Sequence, residues 1–528
     1  MKTEDLNKIL EDDSLSSGSK EKLAALHENI SSKEFSDLLD HQGNQYVEFV
    51  QEGGGVWGSA LVGYLYGLEI FGVRFLKVAG TSAGAINTML IAACKTKEEA
   101  KSELIKEILF SWNFADFMDG KTYVKTTLHS MLNNKNFFTI NLVIAAALFI
   151  ILISIPFAVS SETILNAKLM FLIPLIPAII LFFCIKKLYN NFRKENSGLN
   201  PGNVFTDTMK NALDSFGIKT VANLNEKFIR KEHSLNLNYR YGNGEEYYTR
   251  ALKSIEKIKA KNLEHIDQTR YRIFYESALN NDYYKNNPFY QLRSEYIVIT
   301  TDINAKIKVE LPTMANLYWS EEELKHISPA EFVRASMSVP FFFEPFQKRI
   351  NKDEDSVKYA WKFWMNTQQQ DINPVGVFID GGSISNFPID IFHADEVFYP
   401  RMPLFGVQLT NDSDILSEKG KTSEEILKTP FSYAGNIIST LKGFNDKTFL
   451  TKHTFYHLFS IQTVNCGNSS WLNFFMKKEE KEELFNRGFQ AALDFLNQFD
   501  WEKYKYERMM LSMKEKKILK EEDTPTVG

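Results

Sequence analysis

The pentapeptide Gly80-Thr81-Ser82-Ala83-Gly84 constrains this chain more than any other stretch. It follows the apolar run Phe75-Leu76-Lys77-Val78-Ala79 and precedes the small apolar residues Ala85, Ile86, Met89, Leu90, Ile91 and Ala92. A strand that passes through one sharp turn into a helix leaves its turn serine exposed at the helix N-terminus, in strained backbone. Glycine is required on both sides, at Gly80 and Gly84, because a Cβ would clash where strand and helix cross. Such a unit commits the chain to layered α/β architecture. Glycine and serine also make ordinary turns, so the neighbouring motifs decide the meaning of this one.

Upstream, Tyr46-Val47-Glu48-Phe49-Val50 reads as a strand and runs into Gly53-Gly54-Gly55-Val56-Trp57-Gly58. Ala60, Leu61, Tyr64, Leu65 and Leu68 then recur at helical spacing. A glycine loop at a helix start presents backbone N–H groups and the positive end of the helix dipole, which suits an oxyanion or a phosphate. Gly53, Gly55 and Gly58 also fit the dinucleotide fingerprint, the rival reading. That fingerprint wants an acid at the end of the second strand to hold a ribose. Here the second strand delivers Ser82, and the nearest acid, Glu69, falls within the expected helix. The dinucleotide reading fails.

Downstream, Val375-Gly376-Val377-Phe378-Ile379 reads as a buried strand ending in Asp380-Gly381-Gly382. Alone, the aspartate reads as the opening of a tight turn. With three strand-terminal glycine motifs in one chain, strands ending on one edge of a sheet are expected to bring nucleophile, donor loop and base together.

In that order the three motifs resemble the patatin-like phospholipase family. Gly198-Leu199-Asn200-Pro201-Gly202, Ala335-Ser336-Met337-Ser338-Val339-Pro340 with Phe341-Phe342-Phe343 behind it, and Asn386-Phe387-Pro388 agree with it. The resemblance covers most of 46–498 and implies a lipid acyl hydrolase with a Ser–Asp dyad. Ser82 would be the nucleophile and Asp380 the base. The N–H groups of Gly54 and Gly55, within the loop formed with Gly53 and Gly58, would hold the oxyanion. No metal and no cofactor is implied. The family commonly carries a basic residue just before the last glycine of the loop, where this chain has Trp57. None of the nine histidines lies in a comparable glycine-framed context, His393 coming closest, and it is not expected to be catalytic.

Hydrophobic residues are 44% and charged residues 24% of the 528, ordinary for a globular chain, and a net charge of −5 argues against nucleic acid as a partner. Cys94, Cys184 and Cys466 show no metal spacing and suggest a reducing compartment. The acidic start is not expected to be a signal peptide. Two apolar runs, 142–159 and 169–185, each span roughly 26–27 Å as helices at about 1.5 Å per residue. They are expected to form a transmembrane hairpin over 137–189, kinked at Pro174 and Pro177 and flanked by lysine and arginine. Positive flanks place both ends, and the catalytic domain, on the cytoplasmic side of a two-span membrane protein.

The expected organisation is a polar helical extension (1–44), the first part of the catalytic domain (45–136), the hairpin (137–189), its second part (190–500) with a charged insertion at about 228–290, and a charged tail (501–528). The fold expected is a three-layer α/β domain with a mostly parallel sheet, interrupted by the hairpin. The expected function is ester hydrolysis of membrane phospholipids or lysophospholipids. An esterase or thioesterase on smaller acyl substrates, or a silent scaffold of the same fold, remains open.

Overall fold

The structure, a computed structural model, describes residues 3–120, 198–229, 237–240, 245–261, 269–272, 293–395, 397, 399–412 and 443–516. Twelve strands lie among them: β1 (Leu38–Leu39), β2 (Gln45–Gln51), β3 (Val73–Thr81), β4 (Gly198–Asn200), β5 (Asn238–Tyr239), β6 (Glu295–Asp302), β7 (Ile307–Leu311), β8 (Phe341–Phe343), β9 (Phe346–Arg349), β10 (Val375–Asp380), β11 (Leu404–Thr410) and β12 (Ile461–Asn465). The main sheet runs β12-β11-β2-β3-β6-β10-β9. Its first five strands are parallel to one another, whereas β10 is antiparallel to both β6 and β9. Strands β4 and β8 form a small parallel pair of their own.

Parallel neighbours need a crossover, and helices supply it: Gly58–Glu69 joins β2 to β3, and Ala83–Ala93 leaves β3. Because both faces of the sheet are covered, β3 is buried at every position from Val73 to Thr81. On one face Phe49 of β2 packs on Phe75 and on Tyr64 of the first crossover helix. Beyond that helix lies Lys478–Gln498, in backbone contact with it. A Cβ on Gly63 would sit 1.8 Å from the Phe485 carbonyl oxygen, and one on Gly488 would sit 1.9 Å from that of Ala60. On the other face the helix Trp501–Glu515 lies against β11, where the Tyr504 hydroxyl accepts the Leu404 N–H. That helix lies within the stretch that reads in sequence as a charged tail.

The mostly parallel α/β sheet stands, but the expectation of a membrane protein is corrected. Among the described residues no helix is long and apolar enough to cross a membrane. The hairpin expected over 137–189 lies outside the described residues. Hydrophobicity was its sole basis. Both runs sit at the short end of the range for a span, and two prolines interrupt the second. The two-span topology and the cytoplasm-facing placement deduced from it are withdrawn together.

Candidate active site

Strand β6 organises the site. On one edge it pairs with β7 from Val298 to Asp302. Its other edge is shared by two strands end to end: β3 covers it up to Thr81, opposite Ile299, and β10 covers it from Asp380, opposite Thr300. The two strands run toward each other and stop at neighbouring positions. Ser82 leaves the end of one as Asp380 closes the other. The motifs therefore meet because of opposed strand directions, not because parallel strands end on a common edge, as the sequence suggests.

Each strand end must turn away sharply, and the glycines show how. Ser82 has φ 53° and ψ −117°, a strained conformation for a residue with a Cβ. A Cβ on Gly80 would lie 2.4 Å from the Gly84 carbonyl group, and one on Gly84 would lie 2.4 Å from the Gln51 carbonyl oxygen. The Ser82 N–H donates to Ser336 Oγ at 2.9 Å, while its hydroxyl contacts Met337 Sδ at 3.3 Å. Asp380 receives the Gly382 N–H on Oδ1 at 2.7 Å, and its own N–H donates to the Ser338 carbonyl at 2.8 Å. Gly381 is pressed on β6, where a Cβ would meet the Ile299 carbonyl oxygen at 2.3 Å. Both Ser82 and Asp380 are buried.

The glycine loop closes over the serine. A Cβ on Gly53 would lie 3.1 Å from Ser82 Cβ, and one on Gly58 would touch Ala83 Cβ at 3.7 Å. Gly55 has φ +54° and faces the Trp471 carbonyl. The Gly53 N–H is taken by the Asn386 carbonyl at 2.9 Å, whereas those of Gly54 and Gly55 make no hydrogen bond among the described residues. Both N–H groups belong to the loop that reaches Ser82 through Gly53. Trp57 is buried, so the residue in place of the family's basic side chain serves as packing.

Residues to which the sequence reading gave no role hold the parts in register. Asn386 Nδ2 donates to the Gly53 carbonyl at 3.1 Å and to Glu52 Oε1 at 3.0 Å. Thr81 Oγ1 donates to the Ser385 carbonyl at 3.0 Å. Asp446 accepts from the Ser385 hydroxyl and from the N–H groups of Asn386 and Phe387, at 2.6, 2.8 and 2.9 Å. Burial pushes its carboxyl up to about 6 despite these donors. Arg334 binds Ser338 Oγ and the carbonyls of Pro201 and Glu344, tying together two of the smaller family-like stretches. Asn386 and Ser336 stood in recognisable stretches, but Asp446 had no local signal. His393 lies elsewhere, bonded to the Tyr456 hydroxyl at 2.6 Å and to Asp395 at 2.9 Å.

An apolar crevice opens between the glycine loop and the start of the helix Ala83–Ala93. Ala83, Ile86, Trp112, Phe117, Met337 and Phe474 line it, and its volume is about 30 Å³.

Comparison with known proteins follows the same lines. The family model described as "Patatin-like phospholipase" matches residues 49–393. The uncharacterized protein YqhO of Bacillus subtilis (strain 168) is 49% identical over 63 residues, 12% of this chain. The match spans only 21% of that relative's length. Among solved structures, VipD from Legionella pneumophila aligns over 88% of this chain and 71% of its own, at 13% identity and a TM-score of 0.35.

Proposed function

The chain belongs to the patatin-like phospholipase family, and from that premise we propose that it is a serine acyl hydrolase that cleaves the carboxylic esters of phospholipids or lysophospholipids through Ser82 and Asp380. One observation carries the reading: β3 and β10 end at neighbouring positions along β6, with the glycine loop against Ser82.

Asp380 accepts the proton of the Ser82 hydroxyl as Oγ attacks the ester carbonyl. The tetrahedral oxyanion draws on the N–H groups of Gly54 and Gly55, each such donor being worth ~10²–10³ in rate. Collapse expels the alcohol, protonated from Asp380, and leaves an acyl-serine. Water then attacks the acyl-serine while giving a proton to the same carboxylate, and collapse returns that proton to Ser82 Oγ as the acid leaves. Gly53 acts through its shape and its bond to Asn386, because its N–H is already engaged.

The crevice favours a second reading. At about 30 Å³ it is far below the roughly 300–1,000 Å³ of ordinary ligand pockets, so a short acyl group fits this conformation better than a long one. That would make the protein an esterase or thioesterase on smaller substrates.

One experiment tests both. Purified protein is labelled with a fluorophosphonate probe and assayed on lysophospholipid and on p-nitrophenyl esters of rising chain length. Ser82→Ala should abolish labelling and turnover, and Asp380→Asn should lower turnover by at least ~10²-fold, the usual size of a general-base contribution. Undiminished turnover in Ser82→Ala sinks the dyad. A rate that falls steeply with chain length favours the esterase reading.

A further inference from the structure

Away from the serine, two imidazoles and a carboxylate converge where the chain's last described helix ends. His393 follows the turn Ile389–Phe392, His453 follows the helix Phe444–Lys452, and Glu515 closes the helix Trp501–Glu515. One ligand atom from each lies within 4.8 Å of the others. The His453 Nε2 is 3.0 Å from Glu515 Oε1, and the His393 Nε2 is 4.0 Å from the same oxygen. Asp395 stands at the rim, its Oδ1 2.9 Å from His393 Nε2.

We propose that His393, His453 and Glu515, with Asp395 at the rim, form a site for a divalent first-row transition-metal ion, zinc by its preferences. Hydrogen bonding on the far side of His453 points that way. Its Nδ1 lies 2.8 Å from the Phe449 carbonyl, which accepts only, so that nitrogen carries a hydrogen. Its Nε2 is then turned to Glu515 Oε1 at 3.0 Å, the pair of atoms that an ion would share. A backbone carbonyl fixing the far nitrogen is the usual support of a metal-bound histidine. The His393 Nδ1 faces the Tyr456 hydroxyl, which can donate or accept, so this contact is compatible with either tautomer of the ring. Two imidazoles and one carboxylate suit zinc in a tetrahedral site with its fourth position open.

The geometry is close to what an ion requires. Zinc–ligand bonds of about 2.0–2.1 Å put tetrahedral ligand atoms about 3.3 Å apart, so ligand atoms now within 4.8 Å of one another would draw together by up to about 1.5 Å. The ion would fasten the last turn of the helix Trp501–Glu515 to two segments next to the candidate active site. One begins thirteen residues after Asp380, and the other is the helix that carries Asp446. The site is independent of the acyl-hydrolase reading.

A proton shared between His453 and Glu515, with the Arg508 guanidinium nearby as a further positive charge, competes with this occupant. The test strips the full chain with EDTA and titrates it with zinc by calorimetry and with cobalt by visible absorption. The expected result is one ion per chain, tetrahedral cobalt bands and a melting temperature raised by zinc. His393→Ala and His453→Ala should each weaken binding by more than the ~10²-fold upper end for loss of an outer-shell partner. Should either fail to fold, Glu515→Gln at the helix end provides the same comparison with a shape-conserving change. Absence of zinc and cobalt uptake in the wild type would overturn the site. So would full-strength binding that persists in the Glu515→Gln and His453→Ala variants, which would put the ligands elsewhere.

Discussion

Ser82 holds a backbone conformation that it would not adopt alone, and the Ser336 hydroxyl helps to hold it there. Strain at such a position costs about 1–3 kcal/mol and persists only where surrounding contacts fix it. Ser336→Ala leaves the buried Ser82 N–H without that acceptor, a loss of about 1–3 kcal/mol. The expected outcome is a lowered melting temperature and a kcat down by roughly ten-fold, the equivalent of ~1.4 kcal/mol, with KM unchanged. Steady-state kinetics beside a thermal melt checks this, and unchanged values in both would remove Ser336 from the site. At this scale the sequence was legible where the constraint is steric and local. Gly80 and Gly84 flank the serine because no Cβ fits between strand, helix and the Gln51 carbonyl. Ser336 and Asp446 were not legible as partners, because each acts on residues far away in the chain.

Strands, helices and a mostly parallel sheet were readable from the sequence, and the reversed direction of β10 was not. The residues 375–379 announce a strand and Asp380 its end, but nothing in them says that β10 runs against β6. Direction is decided by the chain's route between strands, which a local pattern does not contain. The helix Phe444–Lys452 shows the same limit, since its Asp446 clamps the turn that follows Gly382. That clamp carries a pH signature. Burial raises the Asp446 carboxyl from 3.8 to about 6, so the folded state keeps a proton that the unfolded chain gives up near 3.8. Its contribution is fully present below pH 4 and is lost as pH rises through about 6. The size is on the order of 3 kcal/mol, at 1.36 kcal/mol per pKa unit. Denaturant unfolding of wild type and Asp446→Asn from pH 4 to pH 7 should show the wild type losing ground to the variant as pH rises. Parallel profiles would show that Asp446 does not titrate in this range.

The helix Trp501–Glu515 illustrates why the outer reaches of the molecule were hard to read. Its charges suggest a solvated tail, yet Lys505 and Arg508 are buried. Lys505 Nζ lies 3.1 Å from the buried Asp37 carboxylate, which also accepts from Trp501 Nε1. An ion pair of this kind joins the N-terminal part of the chain to its C-terminal helix, and no sequence periodicity announces a pairing across so many residues. Removing one partner leaves an uncompensated charge in the interior. Lys505→Ala should therefore cost about 3–5 kcal/mol, read as a fall in ΔG of unfolding, whereas Lys503→Ala on the same helix should cost far less. Equal effects would mean that the pair contributes nothing special. The shared edge of β6 has a consequence for how such a chain can vary. The spacing of Ser82 and Asp380 is set by a third strand that acts as a ruler, with Ile299 and Thr300 as adjacent marks. Chain inserted between the two motifs, however long, does not enter that measurement provided that the strands reseat. One residue added inside β6 between those marks would do more harm than dozens added in the loops.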